Sequence, residues 1–218
     1  MNLSKRWFLW NSVAWVVGFV LYTPIAHGVT GAHLGDLTPA QIFAHAIAVS
    51  VVAVIVACAQ RQALAPFVSV PWIRVVVAAV AFNVGYWIGA YLPTDLDTDI
   101  LLGFLALGSA VWLGVVPING HRLSAAVALL SFPVASFLAE LALFGVVVLL
   151  LGMTPDLQAS ILWHSIFWIT VGGASGILGG WLSGLALARM LPSSKNAARQ
   201  TTAADRSPAA PAGYRRGV

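Results

Sequence analysis

Six apolar runs, each long enough to cross a lipid bilayer, follow one another along this 218-residue chain. They cover residues 7–26, 41–59, 73–92, 100–116, 123–151 and 161–188. A helix needs about 20 apolar residues to span the hydrocarbon core. An open sheet in lipid would leave its edge groups without hydrogen bonds, so the runs read as helices. The expected fold is all-α, a polytopic transmembrane helical bundle. Composition points the same way: 60% of residues are hydrophobic and only 8% are charged, where a soluble domain carries about a quarter charged.

Turn chemistry separates the runs: Gly-Val-Thr-Gly at 28–31, Ala65-Pro66, Pro93-Thr94-Asp95, Pro117-Ile118-Asn119-Gly120 and Thr154-Pro155-Asp156. The connections are short, which predicts three antiparallel hairpins. Charge then orients them. Lys5 and Arg6, Arg61 and Arg74, Arg122, Arg189 and the basic residues after it all fall on one side of an alternating six-helix arrangement. Asp36, Asp95, Asp97, Asp99 and Asp156 fall on the other. Positive charge is retained inside, so both termini are expected in the cytoplasm, in a bacterial cytoplasmic (inner) membrane. Lys5-Arg6 before an apolar run also has the look of a secretory signal. The run is long for one, and no small-x-small cleavage site follows, so helix one is expected to stay.

Residues 1–191 form the bundle in this reading. From 192 to 218 the composition turns to Ser, Ala, Pro, Gly and Arg, too polar to bury a core, and a disordered basic cytoplasmic tail is expected. The net charge of +4 belongs to short loops and this tail, so it orients the chain in its lipid bilayer rather than marking a nucleic-acid partner. The lone Cys58 excludes an intrachain disulfide.

Several residues within the runs invite a functional reading. Gly172, Gly176, Gly180 and Gly184 recur every four residues in the sixth run. On a helix they form one groove that a neighbour can approach closely, within the chain, in a homo-oligomer or with another membrane protein. The Gly173-Ala174-Ser175-Gly176 segment inside this series resembles the Gly-x-Ser-Gly of rhomboid intramembrane proteases. Their mechanism needs a later histidine, and none follows Ser175. A small residue in the groove is the better reading.

Glu140, the single glutamate, sits mid-run, where a carboxyl costs about 2.5–3.5 kcal/mol to insert. It should face the bundle interior, with Pro133 kinking the helix nearby and Asn83 or a backbone carbonyl as its hydrogen-bond partner if it is protonated. His27, His33, His45 and His164 fall in the outer half, beside the outer aspartates. His45 and His164 lie nearest the bilayer interior, and the set could attract cations, although no spacing predicts a metal site. Trp7, Trp10, Trp72 and Trp112 would mark the inner interface and Trp163 the outer, leaving Trp15, Trp87, Trp168 and Trp181 to face partners or an apolar ligand. Asn11-x-x-x-Trp15 and Asn83-x-x-x-Trp87 repeat one pattern.

The middle third carries Gln60-Arg61-Gln62-Ala63-Leu64, then Pro71-Trp72 and Trp87-Ile88-Gly89. In these segments the chain resembles uncharacterised bacterial multi-pass membrane proteins with Trp/Gly-rich hairpins. The resemblance implies a membrane bundle and no particular activity.

No nucleotide loop, dinucleotide fingerprint, histidine box or CxxC is present, and the sequence implies no identifiable cofactor. The expected function is a non-enzymatic membrane protein: a small transporter or substrate-binding subunit, or an accessory subunit of a larger complex. Its binding residues would come from Glu140, Asn83, His45 and His164. The alternative is an enzyme acting on a lipid or isoprenoid, with Glu140 as general acid.

Overall fold

The computed structural model describes residues 1–30, 38–91, 98–151 and 161–191. Among them are seven α-helices and no strand: α1 (Leu3–Thr30), α2 (Pro39–Leu64), α3 (Ile73–Tyr91), α4 (Thr98–Ala110), α5 (Arg122–Leu151), α6 (Ile161–Ala174) and α7 (Gly180–Met190). One π-helical turn, Ser175–Gly179, joins α6 to α7. Among the described residues four stretches are long and apolar enough to cross a membrane: Leu3–Ala26, Pro39–Leu64, Arg122–Val146 and Ser165–Met190. The apolar helices Ile73–Gly89 and Leu101–Ala110 are shorter.

Local chemistry accounts for several boundaries. Thr38 caps α2, accepting from the Gln41 backbone N–H at 3.4 Å while Gln41 Oε1 accepts from the Thr38 N–H at 2.9 Å. Pro39 follows at the first helical position, where its missing N–H costs nothing. α2 continues beyond the expected residue 59 to Leu64. The fourth run is helical only to Ala110, and residues 111–116 form turns instead of the expected continuation. Gly114 there has φ 81°, which the left-handed turn requires. Trp112 closes the helix end by donating its indole N–H to Gly108 O at 2.8 Å. α5 runs unbroken through Pro133.

The helices pack chiefly on their neighbours in sequence order. α1 meets α2, α2 meets α3, α3 meets α4, α4 meets α5, α5 meets the α6–α7 segment, and that segment returns to α1. The ring is therefore closed. Facing pairs give the directions. Asn11 and Tyr22 of α1 meet Gln60 and His45 of α2, so the two helices are antiparallel. Phe19 and Trp7 lie against Gly172 and Gly184, so α1 and the α6–α7 segment are antiparallel as well.

Aromatic rings fill the axis of the ring. Trp15 of α1 meets Phe104 of α4 at 4.6 Å between centroids and Phe132 of α5 at 5.6 Å. Phe19 stacks on Trp168 of α6 at 5.9 Å. Glycines are the sockets for these rings. Phe132 lies between Gly108 and Gly179, and Phe82 lies over Gly103. The Gly172–Gly184 series faces α1: a Cβ on Gly176 would fall 2.6 Å from Trp15 Cβ, and one on Gly184 would fall 3.1 Å from Ser4 O. The glycine face of α6–α7 is thus occupied by this chain's own first helix.

Candidate functional site

Where α1, α2 and α3 meet, an imidazole is enclosed. His45, seven residues into α2, is 1% exposed. Its Nε2 lies 3.0 Å from Tyr86 Oη of α3 and 3.4 Å from Tyr22 Oη of α1. One ring nitrogen is thereby held between two hydroxyls, each able to donate or accept. Trp87 packs edge-on to the imidazole at 5.7 Å, and Trp168 packs edge-on to Tyr22 at 5.8 Å. Helix periodicity builds this clasp: Tyr86 and Asn83 are three residues apart and share the face of α3 turned to α2. Asn83 Nδ2 donates to Ser50 Oγ at 2.9 Å and to Ala79 O at 3.0 Å.

Beneath the clasp is an apolar cavity of about 10 Å³ lined by Phe19, Tyr22, Val52, Tyr86, Phe104 and Trp168, among others. That is at the lower limit for one water molecule. The clasp is accordingly a packed polar knot rather than a preformed pocket.

A second polar chain lies one end further along the bundle. Gln60 Nε2 donates to Asn11 Oδ1 at 3.0 Å, and Asn11 Nδ2 donates to Trp7 O at 2.9 Å. The Trp7 indole N–H donates to Ser183 Oγ at 2.8 Å. Asn11, Gln60 and Ser183 are all fully buried. This chain ties α2, α1 and α7 together. The two Asn-x-x-x-Trp segments act alike here: each asparagine donates to the carbonyl four residues back and reaches α2.

The expected site residues are spread over four helices. His45 and Asn83 share the α2–α3 seam. Glu140 is 9% exposed on α5, which packs on α4 and the α6–α7 segment and not on α2 or α3. The suggested Glu140–Asn83 pairing is corrected: the Asn83 amide donates to Ser50 and to Ala79 O instead. His164 belongs to α6, and only its backbone position is described. His33, Asp36, Asp95, Asp97 and Asp156 of the expected outer rim, and the tail from residue 192, lie outside the described residues. Among the described residues no three His, Cys, Asp or Glu side chains are grouped as metal ligands.

Ser175 is fully buried in the π turn and donates to Val171 O at 2.7 Å, a bond within its own helix and not the posture of a nucleophile beside a base. Two expected interface tryptophans are core residues instead. Trp7 and Trp112 are fully buried, each with its N–H bonded inside the bundle, whereas Trp10 and Trp72 are exposed. Trp181, expected to face a partner or ligand, is exposed as well. Sequence reasoning passed over Tyr22, Tyr86, Gln60 and Ser183. The only signal available for the first two was a tyrosine within an apolar run, where its hydroxyl needs a partner.

Comparisons with protein-family models, with curated proteins and with solved structures found no match.

Proposed function

We propose that this chain is a non-enzymatic, six-span protein of a bacterial cytoplasmic membrane, built as three hairpins with both termini inside, and that it handles a small solute through the His45 clasp. It would act as a small transporter or as the substrate-binding subunit of one. The charge partition along the sequence and the four long apolar helices support the membrane arrangement. The short α4 is compatible with it: Val111 and Trp112, just past its end, are fully buried, and non-helical backbone at membrane depth is tolerated where protein covers it.

The observation that carries the solute reading is His45 itself, a buried ionisable ring held by hydroxyls from two other helices. Ionisable groups inside a membrane are costly and rarely kept for packing alone. The cavity below the clasp is far smaller than the roughly 300 Å³ of a formed ligand pocket, so binding would require α3 or α6 to move aside. Native mass spectrometry of the protein released from nanodiscs tests this. A small molecule bound one-to-one, and lost in His45→Phe while the variant stays folded, is the expected result. A clasp variant that retains the same ligand would sink the proposal.

The fullness of the interior favours one second reading, an accessory subunit of a larger membrane complex. In that case protein partners copurify in fixed ratio whatever occupies position 45. The enzymatic alternative rests on Glu140 as a general acid, and it requires a turnover by the pure protein that Glu140→Gln abolishes.

A further inference from the structure

We propose that the turn between α2 and α3 binds the phosphate of an anionic phospholipid headgroup, with Arg61 as its cation. α2 ends at Leu64, and the chain folds back at once, with the Phe67 and Val68 N–H groups both donating to Leu64 O. This brings Val70 and Trp72 against Arg61 on the last turn of α2. Arg61 Nε donates to Val70 O at 2.9 Å, and the guanidinium carbon lies 3.9 Å from the centroid of the Trp72 ring. The guanidinium is thus held from one edge and one face. No described residue accepts a hydrogen bond from its two terminal nitrogens. These present the fork that matches a phosphate in bidentate fashion.

The space beside Arg61 is an open cavity of about 410 Å³ lined by Arg61 and residues 65–70, including the exposed Ser69. Its lining contains no acid. The neighbouring surface selects a lipid over a free anion. Trp72 and Ile73 are 59% and 61% exposed, and Val76, Val80 and Val84 continue an exposed apolar stripe along α3. Residues spaced in this way share one helix face, so a headgroup at Arg61 would lay an acyl chain along α3. An exposed tryptophan at the end of a spanning segment marks headgroup depth. Basic pockets between helices at that depth are where anionic headgroups bind. Holding the guanidinium in place beforehand lowers the ordering cost of binding, which a freely snorkelling arginine would not do.

The test uses the full chain, delipidated in detergent and titrated separately with phosphatidylglycerol, phosphatidylcholine and inorganic phosphate, with retention read by native mass spectrometry. Wild type should retain phosphatidylglycerol about fivefold better than phosphatidylcholine, the factor that one basic contact supplies at a membrane surface. Arg61→Gln should remove the preference, and Arg61→Lys, which keeps charge without the fork, should fall between. Trp72→Ala, a surface change that leaves the core intact but releases one face of the guanidinium, should weaken retention and lower the preference for the anionic lipid over phosphatidylcholine. Equal retention of both lipids by wild type, an undiminished preference in folded Arg61→Gln, or competition by millimolar inorganic phosphate that displaces the lipid fully would each overturn the proposal. If Arg61→Gln does not fold, the lysine and Trp72 variants decide it by the same criteria.

Discussion

Gln60 donates its side-chain amide to Asn11 Oδ1 at 3.0 Å, joining α2 to α1 with both residues fully buried. Removing either partner leaves a polar atom of the other buried and unmatched, a loss of about 1–3 kcal/mol. The interaction itself should be smaller, because hydrogen bonds between membrane helices average about 0.6 kcal/mol. A double-mutant cycle of Asn11→Leu and Gln60→Leu, read by unfolding in mixed micelles, should return a coupling below about 2 kcal/mol. Additivity of the two losses would show that the bond contributes nothing specific.

The glycine sockets predict a position-dependent response to one added methyl. Gly176→Ala places a Cβ against Trp15 and Asn11 O, and overpacking of this kind costs about 1–3 kcal/mol. Gly145→Ala on α5 meets nothing within 4 Å and should leave the melting temperature unchanged or slightly raised, since alanine is the better helix former by about 0.5–1 kcal/mol. Equal melting temperatures for the two variants would contradict the packing described.

The two tyrosines of the clasp should differ. Tyr86 Oη is 3.0 Å from His45 Nε2 and Tyr22 Oη is 3.4 Å away, and hydrogen bonds weaken with length. Tyr86→Phe is expected to destabilise more than Tyr22→Phe, within the usual 0.5–1.5 kcal/mol for one bond. Thermal melts of the two variants side by side, with His45→Phe as reference, check the order.

Topology is testable with the native thiol removed. In a Cys58→Ala background, Ser69→Cys should resist a membrane-impermeant maleimide in intact cells and react after lysis, while Asp156→Cys should react from outside. The reverse pattern would invert the orientation proposed from the charges.

The membrane character of the chain, its helical class and the approximate helix positions were legible in the sequence, because in lipid the backbone must satisfy itself within each apolar run and run length alone reports it. Glu140 could be picked out as a costly residue in lipid, and His45 as one of the histidines of the outer half. Their partners could not. An apolar run has no polar face from which to read its rotation, so nothing along the chain said that Asn83 turns to Ser50.

Helix ends were read less well where side chains outside the run decided them. Residues 111–116 are apolar enough to continue α4, yet Trp112 bonds back to Gly108 and the left-handed Gly114 turns the chain. The π turn at Ser175–Gly179 likewise has no periodic signature in a series of glycines that reads as regular α-helix.

What the sequence alone determined is what each helix can tolerate: lipid around it, positive charge at one end, and a smooth glycine face along the sixth. Which helix fills that face was decided only by the folded bundle. Closing the helices into a ring leaves an axial gap that rings from α1, α4 and α5 fill. Phe19 and Trp15 of α1 fit against Gly172 and Gly176, and Phe132 of α5 fits between Gly108 and Gly179. Close packing of that kind depends on the shapes of residues far apart in the chain, and no local pattern encodes it.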